Sequence, residues 1–324
     1  MEHFDFFTPQ TASQYTNQRE GETKLGESLS FVSGFDQLHQ KEQGYVIFGI
    51  PEDIGVRANY GQPGTANAWY GFLKAFLNVQ QNEYNTTDNF LILGSVNTDR
   101  WMQEAEGKSP SELGEIVEEI DDTVEKVVEN IVRANKTPII IGGGHNNAYG
   151  NICGTSFALE KPISVLNIDA HTDLRKVDFR HSGNGFTKAL QEEHLDKYMV
   201  IGLHRNYTPQ YIFEMMNDSK NLSFMLLNDF LHLSTIDKLI KFKKATDYVK
   251  NQFGLEIDCD AIEHFNSSAQ SPTGFSINDI RSFIKIAKKQ EVLYLHLCET
   301  ITDTHNMTGK ALAFFVTDFI RTTD

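Results

Sequence analysis

Cysteine is scarce: Cys153, Cys259 and Cys298 are the only three in 324 residues, far apart and without C-x-x-C spacing. An odd number at such spacings supports neither a disulfide framework nor a thiolate zinc site, so burial as small hydrophobes is expected. Long apolar runs are also missing, and none approaches the ~18 to 20 residues that a membrane span requires. The start, Met1-Glu2-His3-Phe4-Asp5, lacks the basic-then-apolar layout of a secretory signal. A cytoplasmic location without a membrane partner is the expectation. Positive charge is in deficit. The formal net charge of −15 repels a phosphate backbone and no basic cluster offsets it, so nucleic acid is not expected as a partner. Pro- or Ser-rich linkers, repeats and low-complexity blocks are absent, which favours one domain.

A hydrophobic fraction of 40% is enough for a sizeable core. Eight strand-like runs recur along the chain: 45–50, 90–96, 138–141, 163–168, 199–203, 223–227, 255–258 and 292–297. Helical patterns lie between them. The clearest starts at Ser109-Pro110 and repeats Leu113, Ile116, Val117, Ile120, Val124, Val127, Val128 and Ile131 at three- and four-residue steps. Helices are also predicted over 67–77, 234–250, 277–289 and 308–319. Alternating β and α elements imply an α/β fold, a mostly parallel sheet with helices on both faces. Residues 1–41 are polar and poorly periodic, and are expected to form an arm laid over a single domain spanning 42–324.

Chemistry concentrates at three strand ends. Gly142-Gly143-Gly144-His145 follows Ile139-Ile140-Ile141, and the glycines allow a turn that larger residues resist. Asp169-Ala170-His171-Thr172-Asp173 follows the 163–168 run, where alternation points two carboxylates and an imidazole to one side. Asp258-Cys259-Asp260 repeats the device. Taken singly, each is as easily a core histidine or a helix cap. Together they bring His145, Asp169, His171, Asp173, Asp258 and Asp260 to the carboxyl rim of a parallel sheet, where ligands collect. Four carboxylates there would repel one another unless cations were present, and two divalent metal ions resolve the conflict. An oxygen-rich set with one imidazole per ion suits manganese. A pair of ions ~3.5 to 4 Å apart can share a water and supply hydroxide at neutral pH.

The three motifs jointly resemble those of the ureohydrolase family, which includes arginase, agmatinase and formimidoylglutamase. The likeness runs from the strand near Tyr45 to the last helix and implies a three-layer α/β/α sandwich around a mostly parallel eight-stranded sheet. It also implies two Mn²⁺ ions, with His145 and Asp173 on one, His171 and Asp260 on the other, and Asp169 and Asp258 bridging. By the same likeness a metal-bridging hydroxide attacks the carbon of an amidine or guanidine, Asp173 carries a proton, and Glu299 in Cys298-Glu299-Thr300 holds the cationic head.

Arginine forks suit carboxylates, so Arg57, Arg175 and Arg180 point to a small substrate with an anionic tail, with Asn184 a further contact in the 178–186 loop. The segments Pro51-Glu52-Asp53-Ile54-Gly55-Val56-Arg57 and Asp169 to Arg175 resemble the formimidoylglutamase branch. That branch turns N-formimidoyl-L-glutamate and water into L-glutamate and formamide in histidine breakdown. His181-Ser182-Gly183 stands where many members carry His-Gly, which makes His181 a candidate proton shuttle. Members commonly carry Asp-Pro after D-x-D and Asn-Pro after the glutamate; here Asp260-Ala261 and Ile301-Thr302 depart from that. The alternatives are urea release from arginine, agmatine or another guanidino compound, and a catalytically silent member acting as a binding or assembly module. A lost metal ligand would mark the latter, and none is lost. Members often assemble into trimers or hexamers, so a homo-oligomer is compatible with the resemblance.

Overall fold

A computed structural model describes residues 3–250 and 252–321. Met1 and Glu2 of the expected arm, and residues 251 and 322–324 of the expected domain, lie outside the described residues. The strands are β1 Phe4–Phe6, β2 Tyr45–Gly49, β3 Phe90–Val96, β4 Thr137–Ile141, β5 Ile163–Ile168, β6 Leu195–Leu203, β7 Leu222–Leu226, β8 Gln252–Asp258 and β9 Glu291–Cys298. They form one sheet in the order β1-β3-β2-β4-β9-β8-β5-β6-β7. Every pairing is parallel except β1 with β3.

The sheet therefore has nine strands where eight were expected. The addition comes from the arm: Phe4 pairs with Val96 and Phe6 with Gly94, which covers the open edge of β3. Three residues are too few to show strand periodicity, so this element is invisible in the sequence.

Two apolar cores lie on opposite faces, as period-two strands buried on both sides require. Ile139, Ile141, Leu166, Ile168, Leu255, Ile257, Leu295 and Leu297 face helices Ala68–Phe76, Thr235–Tyr248, Ile277–Ala287 and Met307–Ile320. Val46, Phe48, Ile140, Val165, Val200 and Tyr294 face helices that include Pro110–Arg133 and Ala148–Leu159. The result is a three-layer α/β/α sandwich. Helix Ala148–Leu159 is buried from Ala148 through Ser156 and so has no polar stripe to betray its period. All three cysteines are buried and free. No helix among the described residues is long and apolar enough to cross a membrane.

Strand order does the positioning. β4, β9, β8 and β5 are consecutive neighbours, and Ile141, Leu297, Ile257 and Ile168 stand level in register. The residues that follow, from His145 to Glu299, meet on one rim although more than a hundred positions separate β4 from β9 in the chain.

Candidate metal centre

The turn after β4 depends on glycine. Gly142 and Gly143 take φ of +91° and +75°, left-handed values that cost other residues energy. A Cβ on Gly143 would also fall 2.8 Å from Glu52 Oε1. That carboxylate, fully buried, was not singled out in the sequence. Its Oε1 accepts from Gly144 N at 2.9 Å and Asn147 Nδ2 at 2.7 Å, and its Oε2 from Ile54 N at 2.6 Å. Glu52 thus ties the glycine turn to the segment after β2. Its acidic type at a strand end was the available signal.

The structure brings all six motif residues together. His145 Nδ1 lies 2.8 Å from Asp173 Oδ2, 3.1 Å from Asp258 Oδ2 and 3.3 Å from Asp169 Oδ2. His171 Nδ1 lies 3.5 Å from Asp169 Oδ1 and 3.9 Å from Asp260 Oδ2. Two ligand groups result: His145, Asp169, Asp173 and Asp258, and then His171, Asp258 and Asp260, with Asp258 common to both. Backbone donors aim the carboxylates. Asp169 Oδ1 accepts from His171 N at 2.7 Å, and Asp258 Oδ1 from Asp260 N at 2.7 Å. Asp173 and Glu299 hold φ of +48° and +59°, a strain of about 1–3 kcal/mol each that tends to collect at functional sites.

Electrostatics fit a pair of dications. Burial, reinforced by the Asp169 charge, raises Asp173 and Asp258, and burial raises Asp260 against the pull of His171. Burial opposes a charge on His171, yet Asp169 and its neighbours push the imidazole up to about 10. His145 is fully buried, and neither ring nitrogen has a hydrogen-bond partner among the described residues. Four carboxylate charges and a ring nitrogen aimed among them are the donor set for two divalent ions, whose charges would cancel those of the acids.

A cavity of about 240 Å³ opens onto the rim and is lined by His171, Asp173, Asp258, Asp260 and Glu299 on its inner wall. Glu299 Oε1 accepts from His145 N at 2.6 Å, while Oε2 is buried with no partner among the described residues. Burial and then the Asp260 charge push this acid up to about 8. The two departing segments pack on each other there. Ile301 N donates to Asn266 O, and Ser268 N to Glu299 O, which sets Ser268 and Ala269 in the cavity wall.

The expected substrate contacts divide. Arg175 lines the cavity and its Nη1 donates to Asn59 Oδ1 at 3.3 Å. The other two arginines are corrections. Arg180 is fully buried, its Nε and Nη2 donating to Asp121 at 2.7 and 3.1 Å and Nη2 also to Asn146 O at 3.0 Å. Asn184 accepts from Arg180 and is likewise buried away from the cavity. Arg57 lies beside Asp53 and Glu106 and donates to Ala105 O at 2.5 Å. A chain this acidic supplies partners that consume arginines, and sequence spacing does not reveal which. His181 is also buried outside the cavity lining; its Nδ1 accepts from Gly183 N at 3.0 Å. Burial, with Arg175 and Arg180 nearby, pushes it down to about 4, so it is neutral near pH 7. Its neighbour Ser182 lines the cavity instead.

Arg180 clips helix Pro110–Arg133 to the His145 turn, so removing it strands a buried Asp121 charge. Arg180→Met should cost about 3–5 kcal/mol in denaturant unfolding, and Asp121→Leu added to it should recover most of that. A loss below about 1 kcal/mol would contradict the clip.

A rim of two linked carboxylate–imidazole groups at the end of a parallel sheet defines the class as binuclear-metal α/β proteins. A sequence model of the arginase family matches residues 43–320, and the chain belongs to that family. It is similar to the formimidoylglutamase of Geobacillus sp. strain WCH70, 28% identical over 269 residues covering 80% of this chain and 77% of that one. It also resembles the formimidoylglutamase of Lysinibacillus sphaericus strain C3-41, 25% identical over 304 residues, 90% and 89% of the two chains. In fold it matches Trypanosoma cruzi formiminoglutamase with Mn²⁺ (TM-score 0.74, 18% identity, 93% and 98% covered). Bacillus subtilis formimidoylglutamase matches at TM-score 0.74, with 16% identity and 94% and 93% covered.

Proposed function

We propose that this chain hydrolyses the C–N bond of a small amidine with an anionic tail, N-formimidoyl-L-glutamate to L-glutamate and formamide, using two manganese ions. The observation that carries the reading is Glu299 Oε2, a buried carboxylate oxygen without a donor on the wall beside both ligand groups. A planar cationic amidinium supplies such a donor in a charge-assisted bond. The relatives' names agree with that head group. His145, Asp169, Asp173 and Asp258 would hold one ion, and His171, Asp258 and Asp260 the other. When bound, two such ions would lower the pKa of water, supply hydroxide at neutral pH and stabilise the charge of the tetrahedral intermediate.

The chain's own residues do the rest. Glu299 orients the amidinium so that its carbon faces the acidic groups. Asp173, whose carboxyl lines the cavity, is placed to take a proton from water and return it to the leaving nitrogen. Arg175 carries the one guanidinium or ammonium among the described lining residues, and it favours a carboxylate tail over a cationic one such as agmatine's.

The test offers manganese-loaded protein N-formimidoyl-L-glutamate, arginine, agmatine and guanidinobutyrate, following formamide, ammonia and urea separately. Formamide from the first compound alone is expected, and Arg175→Met should lower kcat/KM roughly 10- to 100-fold through the lost charged contact. Urea from a guanidino compound would keep the metal centre and overturn the substrate. No product from any would favour a catalytically silent member.

A further inference from the structure

Behind the metal centre lies a second buried cluster that the mechanism above does not use. Glu256 is fully buried in β8, two positions before Asp258 and so on the same side of the strand. Its register partner on β9 is His296, which in turn pairs with Ile140 on β4. His296 Nδ1 lies 2.5 Å from Glu256 Oε2, and the Tyr294 hydroxyl donates to Oε1 at 2.8 Å. Gly254 makes that reach feasible, since a Cβ there would fall 2.4 Å from the Tyr294 ring. His145 completes the group, with Nε2 3.5 Å from Glu256 Oε2 while Nδ1 looks into the three aspartates.

A neutral imidazole carries one proton, and it can serve a metal through Nδ1 only if that proton sits on Nε2. The carboxylate facing Nε2 is Glu256, 3.5 Å away, too long for a formed hydrogen bond but the acceptor the ring meets on a small approach; a phenol and a second imidazole hold it from behind, and the Cys298 thiol is the other member of the cluster. We infer that Glu256 is a positioning residue that fixes the His145 tautomer and ring angle and so sets the manganese affinity of the His145 side of the centre. Glu256 lies outside the cavity lining and outside both ligand groups of the motif residues; with His145, His296 and Cys298 it forms a cluster of its own behind them. His296 and Tyr294 hold Glu256 in place, which lets one buried carboxylate serve two imidazoles.

The inference rests on His145 being a metal ligand, and its test reads metal rather than turnover. Mn²⁺ titration of metal-free protein by calorimetry should show two sites in the wild type. In Glu256→Gln one site should weaken about 10- to 100-fold, the usual effect of losing such a partner, while the other changes far less. In electron paramagnetic resonance at limiting Mn²⁺ the variant should give a mononuclear six-line signal where the wild type gives the coupled pair. A folded Glu256→Gln with wild-type affinity at both sites overturns the inference alone; a wild type that binds no Mn²⁺ overturns the proposed function with it. Nitrogen-15 NMR of the wild type loaded with Zn²⁺ decides the case even where the variant fails to fold. A proton on His145 Nε2 with Nδ1 bound to metal is expected, and the reverse arrangement refutes it.

Discussion

Stripping the metals should abolish turnover and make the protein lose stability in alkali. Added chelator is expected to reduce product formation to background, with recovery on Mn²⁺. The larger signature is in stability. Asp173, Asp258, Asp260 and Glu299 all have pKa values raised in the folded state, Glu299 to about 8. An acid raised on folding costs stability once pH exceeds its unfolded value, and the cost grows until the folded value is passed. His171, pushed up to about 10, contributes stability fully below about 6.5, and this is lost as pH rises towards 10. His181, depressed to about 4, acts only below its unfolded value and leaves the alkaline side untouched. Glu299, up to about 8, and His171, up to about 10, therefore pull the same way as pH rises from 6.5, and the raised aspartates act in the same direction. Metal-free protein should lose stability there with a slope approaching about 1.4 kcal/mol per pH unit for each group still titrating. Manganese-loaded protein should be nearly flat, because the ions offset the carboxylates directly. Unfolding curves at pH 6.5, 7.5 and 9, with and without chelator, measure the difference. Parallel curves would mean that the acidic rim does not hold ions.

Glu299→Gln is the second change with a large expected effect. The amide keeps the size of the side chain and an oxygen able to accept from His145 N, so the turn after β4 should persist. What disappears is the charge on Oε2, the atom without a donor. A desolvated charge pair lost at one partner costs about 3–5 kcal/mol, which is roughly two to four orders of magnitude in kcat/KM. Metal content should stay at the wild-type stoichiometry, since Glu299 is outside both ligand groups. A variant within about tenfold of wild-type kcat/KM would remove Glu299 from substrate recognition. Loss of metal together with activity would recast it as a support for His145.

The elements of the fold were legible wherever a period exposes itself. The eight parallel strands show as short apolar runs because both their faces are largely buried, and the long helix Pro110–Arg133 shows its repeat because one face is buried, the other is wet and its start is capped. Phe4–Phe6 is too short for any period, and helix Ala148–Leu159 is buried without a break from Ala148 through Ser156 and has little contrast to read. The candidate metal centre was legible for a related reason. The six motif residues follow buried strands within a few residues, and in a parallel sheet such positions share one rim.

The sequence by itself determined the layered α/β fold, the clustering of the six motif residues and the acid that follows β9, because these depend on residue type and local spacing. Only the tertiary structure decided which of the three arginines lines the cavity. Arg57, Arg175 and Arg180 look alike in the chain, yet Arg180 is spent on Asp121 and Arg57 on Asp53, Glu106 and a carbonyl, which leaves Arg175 at the cavity. It also decided that Glu52 braces the glycine turn and that Glu256 backs His145. The reason is strand order: inserting β9 and β8 between β4 and β5 makes neighbours of residues far apart in the chain, and a charged side chain takes whichever opposite charge or donor the fold brings within reach.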